Sequence, residues 1–316
     1  MHRDRRSRFP PPGFVRVRAW LAFAAVFLGA AQTARAAKYD VDLARLTSSA
    51  NGVVQPRYGD FRSLSSELGT LLAPRPMDPA DSLGLAGFAF SADVTVNTLG
   101  GRRSYWRDAT DGSAGKVAPS LQLMGRKGLY PGIELGAGAN HLFDSRMWSM
   151  GGYVKLALHE GFHHLPIPSI ALRGSFARLL GAKDFVLTTA AVAVTVSHVF
   201  GVGKTVSLTP YVGYETLFIV SRSAVLSTPA TCDPVLGGTE CAGPTLPASE
   251  FAFDNAGVIV RHRPHLGLRM MFSVMRLGFE AMMVPGGRRE GEVDGQEVAD
   301  RSSFQQQYTF SVGLDF

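Results

Sequence analysis

Phe304-Gln305-Gln306-Gln307-Tyr308-Thr309-Phe310-Ser311-Val312-Gly313-Leu314-Asp315-Phe316 closes the sequence. Successive side chains of a strand point to opposite faces. Tyr308, Phe310, Val312, Leu314 and Phe316 therefore share one face, and Gln305, Gln307, Thr309, Ser311, Gly313 and Asp315 share the other. This is one strand with an apolar side and a polar side. Read alone, it fits either an edge strand of a soluble sandwich or a wall strand of a membrane barrel.

The same alternation recurs upstream. Phe88, Phe90, Ala92, Val94 and Val96 alternate with Ala89, Ser91, Asp93, Thr95 and Asn97. Further period-two stretches cover about 118–125 (a short one), 132–142, 148–159, 167–178, 185–198, 204–219, 257–274 and 276–284. With the terminal stretch the count is ten, with eight or twelve as alternatives. The connections give an independent test. Those near 98–117, 220–256 and 285–303 are long, and all fall on alternate connections together with the shorter ones near 143–147 and 179–184. The intervening connections near 126–131, 159–166, 199–203 and 275 are short. A sandwich gives no reason for this parity, whereas a membrane barrel has short periplasmic turns and longer extracellular loops.

The terminal strand resembles the closing strand of Gram-negative outer-membrane β-barrel proteins, in which a terminal Phe and alternating apolar residues are read by the assembly machinery. The resemblance implies an all-β, antiparallel, up-and-down transmembrane barrel over residues 83–316 in the outer membrane. It implies an assembly signal at Tyr308, Phe310, Val312, Leu314 and Phe316. Its expected partners are outer-membrane lipid, lipopolysaccharide and the barrel-assembly machinery. It does not imply an activity.

The opening residues fit export. A basic run (Arg3, Arg5, Arg6, Arg8, Arg16, Arg18) precedes an apolar stretch from Ala19 to Ala31 and Ala34-Arg35-Ala36. This is the pattern of a signal peptide over 1–36. Its apolar core is shorter than the roughly 20 residues of a spanning helix. Residues 1–36 hold seven arginines and one aspartate, so the rest of the chain balances at 25 basic and 25 acidic residues although the whole carries +6. That balance speaks against a nucleic-acid partner. Thirty-five glycines and twenty phenylalanines suit many strands, tight turns and aromatic belts.

Residues 37–82 carry no alternation and are read as a periplasmic N-terminal segment. Phe61, Leu64, Leu68, Leu71 and Leu72 recur at helical spacing, Asp60 is placed to cap the start, and Pro74 stops the run. The short amphipathic helix has three possible places: against the rim, inside the lumen, or on a free tail. Cys232 and Cys241, nine apart in a Gly/Pro-rich loop, are expected to form a disulfide after export.

In the register above, Asp93, Glu134, Lys155, Arg173, Glu215, Arg269, Arg276 and Glu280 face the lumen, since charge facing lipid is costly. They either pair and close the interior or flank water and line a narrow selective pore. A narrow pore or small-solute passage is the first reading, and a non-conducting barrel acting through its loops is the second. Third is a zinc peptidase through His159-Glu160-Gly161-Phe162-His163, an H-E-x-x-H pattern. Gly161, Pro166 and Pro168 leave little room for the helix such a site needs, and a turn is the plainer reading. His141 and Asp144 near an outward loop could sit together at the rim. No catalytic residue, cofactor or metal is assigned.

Overall fold

A computed structural model describes residues 37–50, 53–160, 167–203, 205–228, 249–253, 257–287, 290–293 and 296–316. Ten long antiparallel strands form the wall. They are β1 (Phe88–Thr98), β2 (Val117–Tyr130), β3 (Ile133–Leu142), β4 (Trp148–His159) and β5 (Ser169–Leu180), followed by β6 (Phe185–Ser197), β7 (Val206–Ser223), β8 (Ile259–Phe272), β9 (Met275–Val284) and β10 (Gln305–Asp315). Each pairs with its sequence neighbour, and β10 returns to pair with β1, with Phe310 opposite Val94 and Val312 opposite Ala92. The ring is closed, so it presents no unpaired long edge.

The terminal stretch of sequence that opened the reading is thus the seam of the barrel. Its alternate residues separate as the pattern requires: Tyr308, Phe310, Val312 and Leu314 are exposed, while Gln305, Gln307, Thr309 and Ser311 are buried. The same division runs round the ring. Phe90, Val94, Val154, Phe176, Val192, Val212, Leu266 and Phe279 point outward, and the polar partners between them point in. A continuous apolar outer belt of this extent is stable against hydrocarbon, not against water. No helix among the described residues is long and apolar enough to cross a membrane.

One end of the barrel carries the short connections. Two-residue turns join β2 to β3 and β8 to β9, with Gly132 and Ser273 at positive φ. The other end carries the long connections from β1 to β2, β7 to β8 and β9 to β10, described over 99–116, over 224–228, 249–253 and 257–258, and over 285–287, 290–293 and 296–304. It also holds helix α2 (Ser104–Ala109) and two small hairpins, Leu226–Thr228 with Ser249–Phe251 and Glu290–Val293 with Gln296–Ala299.

Two expectations need correction. The second strand is not short: β2 runs fourteen residues. Arg126 and Lys127 look like turn charges in the sequence, but they continue the alternation. Arg126 turns inward to Asp78, while Lys127 lies 3.6 Å from the Phe88 ring centroid and donates to the Ala86 carbonyl. Such long basic side chains cover apolar surface and keep the charge at a polar rim.

The second correction concerns Asp60, expected to cap the helix within residues 37–82, and of the three places left open for that helix the structure shows the lumen. A short hairpin (Thr47–Ala50 with Val53–Pro56) precedes helix α1 (Tyr58–Leu72); the residues before α1 lie against the loops at one end, and α1 with the residues after it lies inside the barrel. Asp60 sits in the first turn of α1 and pairs with Arg57 at 2.8 Å; it does not cap the helix. Every residue of α1 from Phe61 to Leu72 is buried. The apolar stripe of the helix is matched by Leu187, Leu217 and Ile219 on the inner wall of β6 and β7. Its polar stripe meets Asp300, Ser302 and Gln305. Gly69 lets the helix pack tightly on the wall: a Cβ there would lie 2.5 Å from Ile219 Cδ1.

Candidate functional site in the lumen

The N-terminal segment enters at the long-loop end and leaves at the short-turn end. At the first mouth, the Tyr39 amide donates to the Asp144 carbonyl at 3.0 Å and the Asp42 amide to the Ala109 carbonyl at 2.8 Å. Arg57 Nη2 donates to Asp108 Oδ2 at 2.7 Å. At the other end, Ser82 and Leu83 donate backbone amides to Glu160 and Glu134, at 2.9 and 3.2 Å, just before β1 begins.

Below the mouth, α1 presents one fully buried carboxylate, Glu67. It accepts from Tyr105 Oη at 2.6 Å, Trp106 Nε1 at 2.7 Å, the Gly100 amide at 3.0 Å and both the amide and hydroxyl of Ser303, at 2.7 and 2.5 Å. A buried carboxylate is tolerated when several donors meet its oxygens. Burial, reinforced by Glu67, pushes the Tyr105 phenol well above its ordinary range, so it stays a proton donor. Two long loops, 99–116 and 285–304, are thereby fastened to the helix.

The chain then leaves α1 through Pro74-Arg75-Pro76-Met77-Asp78-Pro79. Proline carries no amide donor and favours an extended path, so this stretch can cross the lumen without helix or sheet partners. Carbonyls of this stretch and of the residues flanking it serve as acceptors for the wall. Arg263 donates to the Thr70 and Pro74 carbonyls at 3.3 Å each, Arg126 to the Pro76 carbonyl, and Lys155 to the Asp81 carbonyl at 2.8 Å. Arg75 is itself buried and donates to Asn97 Oδ1 at 2.8 Å and Ser120 Oγ at 3.1 Å.

Near the short-turn end, Asp78 takes four cations: Lys155 in close contact, with Arg126 at 3.4 Å, Arg276 at 3.5 Å and Arg269 at 3.6 Å. Asp81 pairs with Arg269, and Glu134 lies 3.1 Å from Lys155. Glu134 also accepts from Tyr153 Oη at 2.5 Å; the ring of Tyr153 lies over its cross-strand neighbour Gly136, where a side chain would clash. The cavity lined by Pro74, Gln122 and Asn140 has about 10 Å³, room for one water at most.

All eight residues assigned to the lumen from the sequence are buried in the interior. Lys155, Arg269, Arg276 and Glu134 come together around Asp78. Arg173 and Glu215 meet higher up, where Arg263 also contacts Glu215. Asp93 accepts from Ser311, Ser91 and Gln122, and Glu280 accepts from Tyr211. Sequence reasoning missed three wall cations, Arg126, Arg261 and Arg263. Parity held the signal for two of them, since Arg261 and Arg263 fall on the same face of β8 as Arg269. It also missed Glu67, Arg75, Asp78 and Asp81, because residues outside any alternation carry no mark of where they point. With these additions seven strand cations face four buried strand carboxylates, and the wall is basic.

The remaining sequence candidates fall elsewhere. His141 turns outward and stacks on Trp148 at 4.3 Å, whereas Asp144 lies in the turn that receives Tyr39. His159 closes a strand and Glu160 accepts from Ser82, while Gly161, Phe162 and His163 lie outside the described residues. So do Cys232 and Cys241.

No family model and no curated protein matches the chain. Solved structures with a similar course of chain include the outer-membrane enzyme PagL, with 7% identity and a TM-score of 0.31, covering 71% of this chain and 97% of that one. Ail, the attachment invasion locus protein of Yersinia pestis, gives 11% and 0.23, covering 73% and 99%. A loop-deletion form of OmpT of Vibrio cholerae gives 12% and 0.26, covering 63% and 54%.

Proposed function

We propose that this protein is an outer-membrane barrel that is closed by its own N-terminal segment and does not conduct while that segment is seated. In this reading its apolar belt lies in lipid, its short turns face the periplasm, and the long connections 99–116, 224–258 and 285–304 face outward. Those loops, held on a rigid frame, are the surface available for lipopolysaccharide or other contacts. The observation that carries this is the passage of residues 58–82 through the lumen, with Glu67 and Asp78 ion-paired or hydrogen-bonded to the wall and loops along the way. The open-pore reading of the sequence thereby becomes secondary, and catalysis is no part of the proposal.

The test is conductance of the purified full-length protein in planar bilayers. A silent membrane at moderate voltage is the expected result, and reproducible steps from the untreated protein reject it. A second reading, gated passage of a small solute, is favoured by one feature. Residues 73–82 belong to no helix or strand, so they could leave the lumen without unpairing the wall.

A further inference from the structure

The Asp78 cluster has an asymmetry. Its cations belong to the wall, on β2, β4, β8 and β9, and stay wherever the segment goes; its central anion belongs to the segment. One carboxylate offers about four lone-pair sites, and here four cations compete for them. Arg276 Nη2 and the Nε atoms of Arg126, Arg269 and Arg276 are buried without a hydrogen-bond acceptor, four donor atoms against two unmatched acceptors, Asp81 Oδ1 and the wall's Asp315 Oδ1, the latter 3.8 Å from Arg276 Nε. Donors thus exceed acceptors even with Asp78 in place. Guanidinium groups presented in this way suit a bidentate oxyanion.

We propose that Arg126, Lys155, Arg269 and Arg276 form an oxyanion-binding site of the barrel wall, that Asp78 is its built-in occupant, and that a small carboxylate or phosphate takes the site when Asp78 is withdrawn. The inference rests on the reading of residues 73–82 as a segment seated in the lumen, and it assigns the solute class of the gated alternative: small anions.

The experiment uses the full chain carrying Asp78→Ala, with Asp78→Asn as a shape-preserving second variant should the first not fold. Thermal unfolding is followed in acetate, phosphate and chloride at equal ionic strength. The variant is expected to melt below the parent and to recover by about 5 °C, saturably, in acetate or phosphate; ligand binding to the native state shifts a melting point by this order. The parent, whose site is filled, is expected to move by less than about 1 °C under the same linkage. Arg276→Met in the variant background removes the recovery. Equal shifts in parent and variant, or the same recovery in chloride, overturn the site. These measurements do not read conductance, so a conducting parent would reject the closed-barrel reading and leave this result standing.

Discussion

Trp106 Nε1 donates to Glu67 Oε2 at 2.7 Å, which ties the first long loop to the helix inside the barrel. Glu67 is fully buried, and its other donors come from Gly100, Tyr105 and Ser303. Glu67→Gln keeps the shape but replaces one acceptor oxygen by an NH₂ that faces donors. Buried donors left unmatched cost about 1–3 kcal/mol each. We expect a loss of roughly 3 kcal/mol in denaturant unfolding, together with faster proteolysis in loop 99–116. An unchanged unfolding midpoint would mean that the mouth is not held by this carboxylate.

Arg173 separates the two outcomes that the sequence left open for the inward charges. Its Nη2 lies 3.6 Å from Glu215 Oε2, and Glu215 is also contacted by Arg263. Arg173→Glu sets a second carboxylate against Glu215 in the interior. Breaking a buried ion pair costs about 3–5 kcal/mol, so the variant is expected to unfold much earlier than the parent. If Arg173 instead lined water, stability would hold and ion selectivity would change.

How much of this was legible follows from where side chains alternate. The wall was, because lipid on one side and a polar lumen on the other force a period of two, and Phe310 and Ser311 each carry half of that signal. The place of the second strand's end was not, since Arg126-Lys127 reads as a polar turn until Asp78 is known to lie opposite. The helix over Phe61–Leu72 shows its apolar stripe in the sequence, but nothing there marks the polar stripe of Ser66, Glu67 and Thr70 as buried. Local sequence records the spacing of a helix; it does not record what covers the polar side. The course of Pro74–Asp81 left no periodic trace, because a proline-rich path outside helix and sheet is fixed only by distant partners such as Arg263 and Lys155.

Gly69 makes the docking of α1 testable. In an isolated helix, Gly→Ala is stabilising by about 0.5–1 kcal/mol. Here the added Cβ would fall 2.5–2.7 Å from three atoms of Ile219, including both γ carbons of a stiff β-branched side chain. Gly69→Ala is therefore expected to destabilise by roughly 1–3 kcal/mol, the range for overpacking. Combining it with Ile219→Val, which removes one of the clashing atoms, should recover part of the loss. A gain in stability for the single variant would show that the helix does not seat against β7.

The mouth should loosen in acid. Asp108 of α2 is contacted by Arg57, from the N-terminal segment, and by Arg107. Partial burial would raise its carboxyl, but hydrogen bonds and charge from these two arginines hold it below the ordinary carboxylate range. A carboxyl depressed on folding adds stability above its unfolded value of about 3.9, and that contribution is lost as pH falls through the folded value. The window therefore lies below about pH 4, and a partly exposed pair contributes about 0–1 kcal/mol. Pepsin cleavage within 99–116 should accelerate as pH is lowered from about 4 toward 2, beyond the enzyme's own pH response on a loop-independent substrate. Asp108→Asn should be cleaved faster at the upper end of that range and show a flatter profile. Identical profiles for the two proteins would remove the Arg57–Asp108 contact as the acid-sensitive tie between the segment and the loop.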